Sequence, residues 1–374
     1  MESRDAVVIG GGPAGSSCAR ALVRAGFDVL VLDRKPFPRD KLCAGWVTPQ
    51  VFAALEIDAD AYAKAQVLQP IHGFRVRRIG NREACADFGE VVSYGVRRCE
   101  FDDFLLRRSG AALCLGEALR TLVRTPEGWL VNEHIRTPLV VGAGGHFCPV
   151  ARQLGGDAGA VEPIVAAQEV EFELTGDADR QCAVSAELPE LYFTADLRGY
   201  GWLFRKGRFL NVGLGRQDRH RLHDHVQSFL RFLVEEGRIP AVPAGLRGHA
   251  YLLHGESRRP LTFDGGLLVG DACGLAYPRS GEGIRPAVES GLLAARAIRQ
   301  ANGRYDRAAL APYRSALEAR FGRRDPRVAK GPTDLLPAAL ARRVAGRLIA
   351  SPAFARHVLV KRWFVHAEVP ALAP

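Results

Sequence analysis

The residues whose types and spacing could do chemistry fall into three groups. The first is Gly10-Gly-Gly12-Pro13-Ala14-Gly15, followed at a distance by Asp33 and Arg34. A Gly-x-Gly-x-x-Gly that ends a strand and opens a helix offers unpaired N–H groups and the positive end of the helix dipole, which suit a pyrophosphate. Gly10 permits the tight turn, Gly12 lets the backbone approach the phosphates, and Gly15 lets helix and strand pack closely. Pro13 and Ala14 open the helix, and Asp33 is placed to accept hydrogen bonds from a ribose. The second group is Gly270-Asp271 at the end of Gly266-Leu-Leu-Val, with Gly281-Glu-Gly283-Ile284 shortly after it. The third joins a thiol, Cys43 in Asp40-Lys41-Leu-Cys43-Ala-Gly45, to an aromatic stripe, Tyr200, Trp202 and Phe204, with Gly213 and Gly215 beyond a turn.

Alternate side chains of a strand share a face, so the three rings point the same way. With Lys206-Gly207 as a two-residue hairpin loop, Phe204 lies opposite Phe209, Trp202 opposite Asn211 and Tyr200 opposite Gly213. An aromatic wall then stands beside a nearly bare strand. Taken alone, such a stripe reads either as sheet core or as the lining of an apolar pocket.

These residues need a scaffold. Ala6–Ile9 and Phe27–Leu32 are apolar runs flanking a helical pattern over 14–25, a βαβ unit that implies a parallel sheet. Pro138–Ala143 and Leu267–Gly270 read as further buried strands, with Phe101–Arg108, Leu222–Glu236 and Gly283–Ala301 as helices. Residues 71–96 and about 164–215 are rich in strand pattern. At 374 residues the chain is too long for one ordinary core. No run of about eighteen apolar residues is present, and the strand pattern begins at once without a signal peptide, from which we expect a cytoplasmic protein. Eight scattered cysteines without zinc spacing read as free thiols. The net charge of +10 is concentrated in the tail, where residues 323–374 carry ten Lys and Arg against three acidic residues. No nucleic-acid motif accompanies that charge, so nucleic acid is not an expected partner.

The pairing of the two glycine motifs resembles the FAD-binding signature of the para-hydroxybenzoate hydroxylase superfamily. The resemblance implies that Asp271 binds the ribityl chain, that Gly270, Gly281, Gly283 and Ile284 lie along the flavin, and that Arg98 sits beside it. Val140-Val-Gly-Ala-Gly144-Gly145 corresponds to the superfamily's Gly-Ala-Asp-Gly, with glycine at 144 in place of the aspartate. Within that superfamily the Lys41-x-Cys43 loop and the Tyr200-x-Trp202-x-Phe204 … Gly213-x-Gly215 hairpin resemble the geranylgeranyl reductases. Ala44 replaces a glycine and Arg205 a proline. The likeness covers most of the chain but not its tail.

The expected fold is therefore α/β. A Rossmann-type FAD-binding domain, a parallel sheet with helices, takes residues 1–70, 95–160 and 255–305. An antiparallel β-sheet substrate domain takes 71–94 and 161–254, and 306–374 form a helical C-terminal region. The resemblance implies an FAD-dependent oxidoreductase that reduces C=C bonds of a hydrophobic prenyl or polyene substrate, with Tyr200, Trp202, Phe204, Gly213 and Gly215 lining its channel. The alternative is a flavin monooxygenase, hydroxylase or halogenase acting on an aromatic. No second glycine-rich motif follows a strand, so NAD(P)H or another protein would be a transient electron donor. Cys43 reads as a functional loop residue or as a small buried thiol, and Glu282 as an acid beside the flavin or as a helix cap. Leu340, Val344 and Leu348 alternate with Arg342, Arg343 and Arg347 on a basic amphipathic helix, which suits either peripheral membrane contact or packing on the body. His220, His223 and His225 read as surface residues, and no metal is expected.

Overall fold

The computed structural model describes residues 1–155, 164–217, 221–324 and 338–373. Strand Ala6–Ile9 is apolar at every position and wholly buried, as a strand covered on both faces must be. It lies inside a six-stranded sheet of order Thr262–Phe263, Gly266–Leu268, Val140–Gly142, Ala6–Ile9, Val29–Asp33, Ala112–Leu115. All neighbours are parallel except the first pair. Helices Pro13–Arg24 and Ile284–Ala301 pack together so closely that a Cβ on Gly291 would lie 2.3 Å from the Ala14 carbonyl oxygen. That crossing brings the two glycine motifs, some 260 residues apart in sequence, to one edge of the sheet.

A seven-stranded sheet runs Arg247–Leu252, Ile164–Glu173, Phe209–Arg216, Gly199–Lys206, Glu190–Phe193, Gly73–Arg78, Ala84–Asp87. It is antiparallel save for Glu190–Phe193 against Gly73–Arg78. Helix Leu222–Glu235 covers one face with Val226, Phe229, Leu230 and Leu233. A three-stranded sheet of Trp46–Val47, Ser93–Val96 and Leu68–Ile71 ties the two larger parts together. The expected boundaries at 70/71 and 94/95 fall inside its strands.

The hairpin differs from expectation in its turn. Lys206 pairs with Phe209, Phe204 with Asn211, Trp202 with Gly213 and Tyr200 with Gly215. The loop is thus Gly207-Arg208, with Gly207 at φ +56°. Moving the loop by one residue moves every partner by two, so the rings keep their face while their opposites change. The cause is Lys206, which points inward and is fully buried instead of occupying the exposed turn.

The tail folds back on this sheet. After helix Ala338–Ile349, a π-helical segment Ala355–Phe364 inserts Leu359, Val360 and Phe364 against the aromatic stripe. Phe364 stacks on Trp46 at 5.4 Å and meets Tyr200 edge-on at 5.6 Å.

Candidate active site

A cavity of about 460 Å³ opens where the parallel sheet meets strand Arg247–Leu252. Gly10, Gly12, Pro13 and Ala14 form one end, with Asp33 and Arg34 beside them. Gly10 has φ +117°, and a Cβ there would lie 2.4 Å from the Ala143 carbonyl oxygen, so only glycine fits. Among the described residues no side chain caps helix Pro13–Arg24, which leaves its first N–H groups facing the cavity without a side-chain partner. Asp33 Oδ2 accepts the Gly11 N–H at 2.8 Å and Oδ1 the Lys35 N–H at 3.0 Å, which fixes the carboxylate at the cavity. Arg98, Gly144, Asp271, Gly281, Gly283 and Ile284 continue the lining. Gly15 and Gly270 stand behind it as spacers. A Cβ on Gly15 would meet the Gly10 carbonyl oxygen at 1.9 Å, and Gly270, at φ +61°, fits between Ala14 and Ala287. A side-chain-free cradle on an uncapped helix, an anchored carboxylate and a second carboxylate at Asp271 fit the pyrophosphate, ribose and ribityl groups of FAD. At Gly144 a Cβ would approach Cys148 Cα and Pro149 Cδ at 3.1 Å, so the local packing is tight around the glycine that replaces aspartate.

Cys43 also lines the cavity, near the Arg98 guanidinium that lines it too. Arg98 is buried and holds Asp102 with both nitrogens, at 2.8 and 2.9 Å, while Arg39 reaches the same carboxylate at 3.3 Å. Burial works against the Arg98 charge, but Asp102 and Cys43 outweigh it and its pKa is raised. The loop around Cys43 is pinned from the hairpin. Asn211 Nδ2 donates to the Cys43 carbonyl at 3.2 Å, and Trp202 Nε1 donates to Asn211 Oδ1 at 2.7 Å. Lys206 Nζ donates to the Ala44 carbonyl at 3.0 Å, to that of Val96 at 3.2 Å, and to Glu171. Glycines make room for it: a Cβ on Gly95 would sit 2.8 Å from Lys206 Cγ, and one on Gly45 the same distance from Nζ.

Tyr200, Trp202, Phe204, Gly213 and Gly215 do not line this cavity. Phe204 packs against Trp46 and Phe74, Tyr200 donates its hydroxyl to the Ser280 carbonyl, and the Trp202 ring lies across Gly213. The bare strand thus gives clearance to the protein's own indole. Arg205 turns away to Asp179 at 2.8 Å. Glu282 Oε1 accepts the Arg285 N–H at 2.8 Å and so caps the long helix, while burial raises its pKa to about 7. His223 and His225 are exposed, and His220 lies outside the described residues. All eight cysteines are free.

Sequence reasoning missed the far wall, Arg247, His249 and Tyr251, whose alternation along one strand was the available signal. Burial, with Lys41 and Arg98 nearby, lowers the His249 pKa to about 3 and keeps the ring neutral. It also missed Asn211 and Lys206, polar residues on a strand face that reads as apolar.

Residues 5–92 match the family described as FAD dependent oxidoreductase. The menaquinone reductase of Mycobacterium tuberculosis is 29% identical over 317 residues, 79% of this chain and 76% of the relative. The digeranylgeranylglycerophospholipid reductase 2 of Methanothermobacter thermautotrophicus is 29% identical over 349 residues, 85% and 84% of the two chains. In fold, a geranylgeranyl bacteriochlorophyll reductase-like protein from Thermoplasma acidophilum aligns with a TM-score of 0.79 at 21% identity, over 98% of each chain. Cradle, fold and sequence agree: the chain is an FAD-dependent oxidoreductase, similar in sequence and fold to the geranylgeranyl reductases.

Proposed function

We propose that this protein saturates isolated C=C bonds in the isoprenoid chain of a lipid or quinone. The observation that carries the reading is the Cys43 loop, which lies at the FAD cavity beside Arg98 and is held there through Asn211 and Lys206. The relatives named above support it, since menaquinone and digeranylgeranylglycerophospholipid are both isoprenoid lipids.

FAD would be held by Gly10, Gly12, Asp33, Asp271 and the segment Gly281–Ile284, and in its reduced form supplies hydride to one alkene carbon. An isolated alkene offers no carbonyl to polarise, so the protein's part is orientation, exclusion of water and a proton for the second carbon. Arg98 holds a fixed positive charge at the cavity, and the pinned loop keeps the Cys43 sulfur beside it. Electrons reach the site from NAD(P)H or from a protein donor that binds transiently.

A lipid substrate also favours work at a membrane surface. No described helix is long and apolar enough to cross a membrane. Helix Ala338–Ile349 rests on the body through Gly346 and Ile349, while Leu340, Arg343, Arg347 and Leu348 face outward. We assign that face to contact with anionic lipid.

The test is anaerobic. Chemically reduced, FAD-loaded protein mixed with a geranylgeranylated phospholipid or menaquinone should yield product with two added hydrogens per bond. Product that forms only with oxygen present would overturn the reading in favour of a monooxygenase or halogenase.

A further inference from the structure

The reaction needs an acid, and three of the titratable groups at or near the cavity have other states or duties. Arg98 stays charged against Asp102, Glu282 caps a helix, and His249 is neutral. One carboxyl nearby has no such duty. Glu169, on strand Ile164–Glu173, is 1% exposed, and neither oxygen has a hydrogen-bond partner among the described residues. An orphaned buried carboxylate costs several kcal/mol, so native proteins avoid one unless it is protonated or used.

Its surroundings show why this carboxyl takes up a proton. In the register of the sheet, Trp202, Gly213, Glu169 and Arg247 lie in one row, with Tyr200, Gly215, Ala167 and His249 in the next. The absent side chain of Gly213 is what lets the indole reach over. A Cβ there would be 2.4 Å from Trp202 Cζ2 and 2.6 Å from Glu169 Cβ. A carboxyl buried against a tryptophan ring is also what keeps lysozyme's general acid protonated near neutral pH. On its other side Glu169 faces Arg247, which lines the cavity, so the carboxyl stands one strand from the cavity wall.

We propose that Glu169, shielded by Trp202 across the bare position at Gly213, supplies the proton that completes alkene reduction at the adjoining cavity. The inference rests on the reductase reading. Glu169 does not itself line the cavity, so its proton crosses that one-strand gap before the alkene π pair takes it up at one carbon, while the hydride that reduced FAD would supply bonds to the other. Glu169 is left as carboxylate, and solvent reprotonates it before the next turnover. Burial raises its pKa to about 7 against the opposing pull of Lys206 and Lys41, with Glu171 adding to the rise and Arg98 opposing it. Arg247, the facing residue on the neighbouring strand, is paired with Asp40.

Infrared spectroscopy of the FAD-loaded full-length protein gives a readout independent of turnover. Wild type should show a protonated-carboxyl band that titrates near neutral pH, disappears in Glu169→Gln and persists in Glu282→Gln. In a single anaerobic turnover of pre-reduced protein, Glu169→Gln should slow the chemical step by about 100-fold with little change in KM. The wild-type rate should fall as pH rises through the carboxyl's titration. Glu169→Gln is nearly isosteric, and unchanged FAD absorbance and circular dichroism would confirm its fold; Glu169→Asp is the second variant, which should restore part of the rate. No band assignable to Glu169 in wild type, or a Glu169→Gln loss smaller than about tenfold, overturns the proposal. Wild-type protein that reduces no prenyl chain overturns the reductase reading, visibly before any variant is made, and takes this role with it.

Discussion

Glu169 carries a consequence for stability that is separate from turnover. Its folded pKa is raised to about 7 from an ordinary 4.5, chiefly by burial. Below the ordinary value the group is protonated in both folded and unfolded chains, and it contributes no pH dependence. As pH climbs from there, the unfolded chain releases its proton while the folded one retains it, so stability falls. The loss is complete once pH passes the folded value, and at about 1.4 kcal/mol per unit it amounts to roughly 3 kcal/mol. Glu282 shifts in the same direction, which makes the wild-type slope a sum over both groups. Glu169→Gln isolates one of them. Its melting temperature should match wild type in acid and exceed it by several degrees above neutrality, as read by calorimetry of the FAD-loaded protein across pH. Parallel curves for the two proteins would mean that Glu169 is ionised in the fold.

At the scale of elements, the hairpin's role is to hold another element in place. Its rings pack inward against Trp46, Phe74 and the tail, and its polar members Asn211 and Lys206 hold the carbonyls of Cys43 and Ala44. Replacing Asn211 with Leu strands the Trp202 N–H and the Cys43 carbonyl together, at about 2 kcal/mol of stability. It should also raise the rate of Cys43 alkylation by iodoacetamide several-fold, because the loop is freed while the sulfur stays at the cavity. An unchanged rate would show that the loop is held by its own packing. This division of labour explains what the sequence made legible. The dinucleotide elements follow local rules: Gly10 needs its positive φ, Ala6–Ile9 needs cover on both faces, and the helix must begin where its N–H groups are wanted. Twelve of the fourteen expected cofactor residues accordingly line the cavity, and the other two, Gly15 and Gly270, space the elements behind it. The stripe obeys only a pattern of alternation, which core and pocket share, and only tertiary contact with Phe364 decides between them. Lys206 was illegible for a related reason. A lysine beside a glycine reads as an exposed turn, and its burial depends on Gly45, Gly95 and Glu171 far along the chain.

For the whole molecule, charge and shape converge on one outward face of helix Ala338–Ile349. Leu340 and Leu348 are 47% and 38% exposed, although leucines on an amphipathic helix ordinarily turn toward the core. The inward contacts are made instead by Ile349 and by Gly346, which sits against Asn81 and Arg78. The basic residues on the outward side, Arg343 and Arg347, belong to the tail that concentrates the chain's positive charge. The same tail supplies Phe364, which closes the aromatic stripe, so the proposed lipid-facing surface and the cover of the hydrophobic face reside in one stretch of chain. Each arginine near an anionic surface is worth about 1 kcal/mol, and the two exposed leucines add apolar burial. Arg343→Gln with Arg347→Gln should therefore weaken binding to phosphatidylglycerol vesicles by about 30-fold, and added salt should mimic the double variant. Leu340→Ser with Leu348→Ser should weaken it further, while turnover of detergent-dispersed substrate stays at the wild-type rate because none of the four side chains lines the cavity. Vesicle sedimentation measures the first effect. Equal sedimentation of wild type with phosphatidylglycerol and phosphatidylcholine vesicles, or of wild type and the arginine variant, would remove this face from the function and leave substrate delivery to a partner protein.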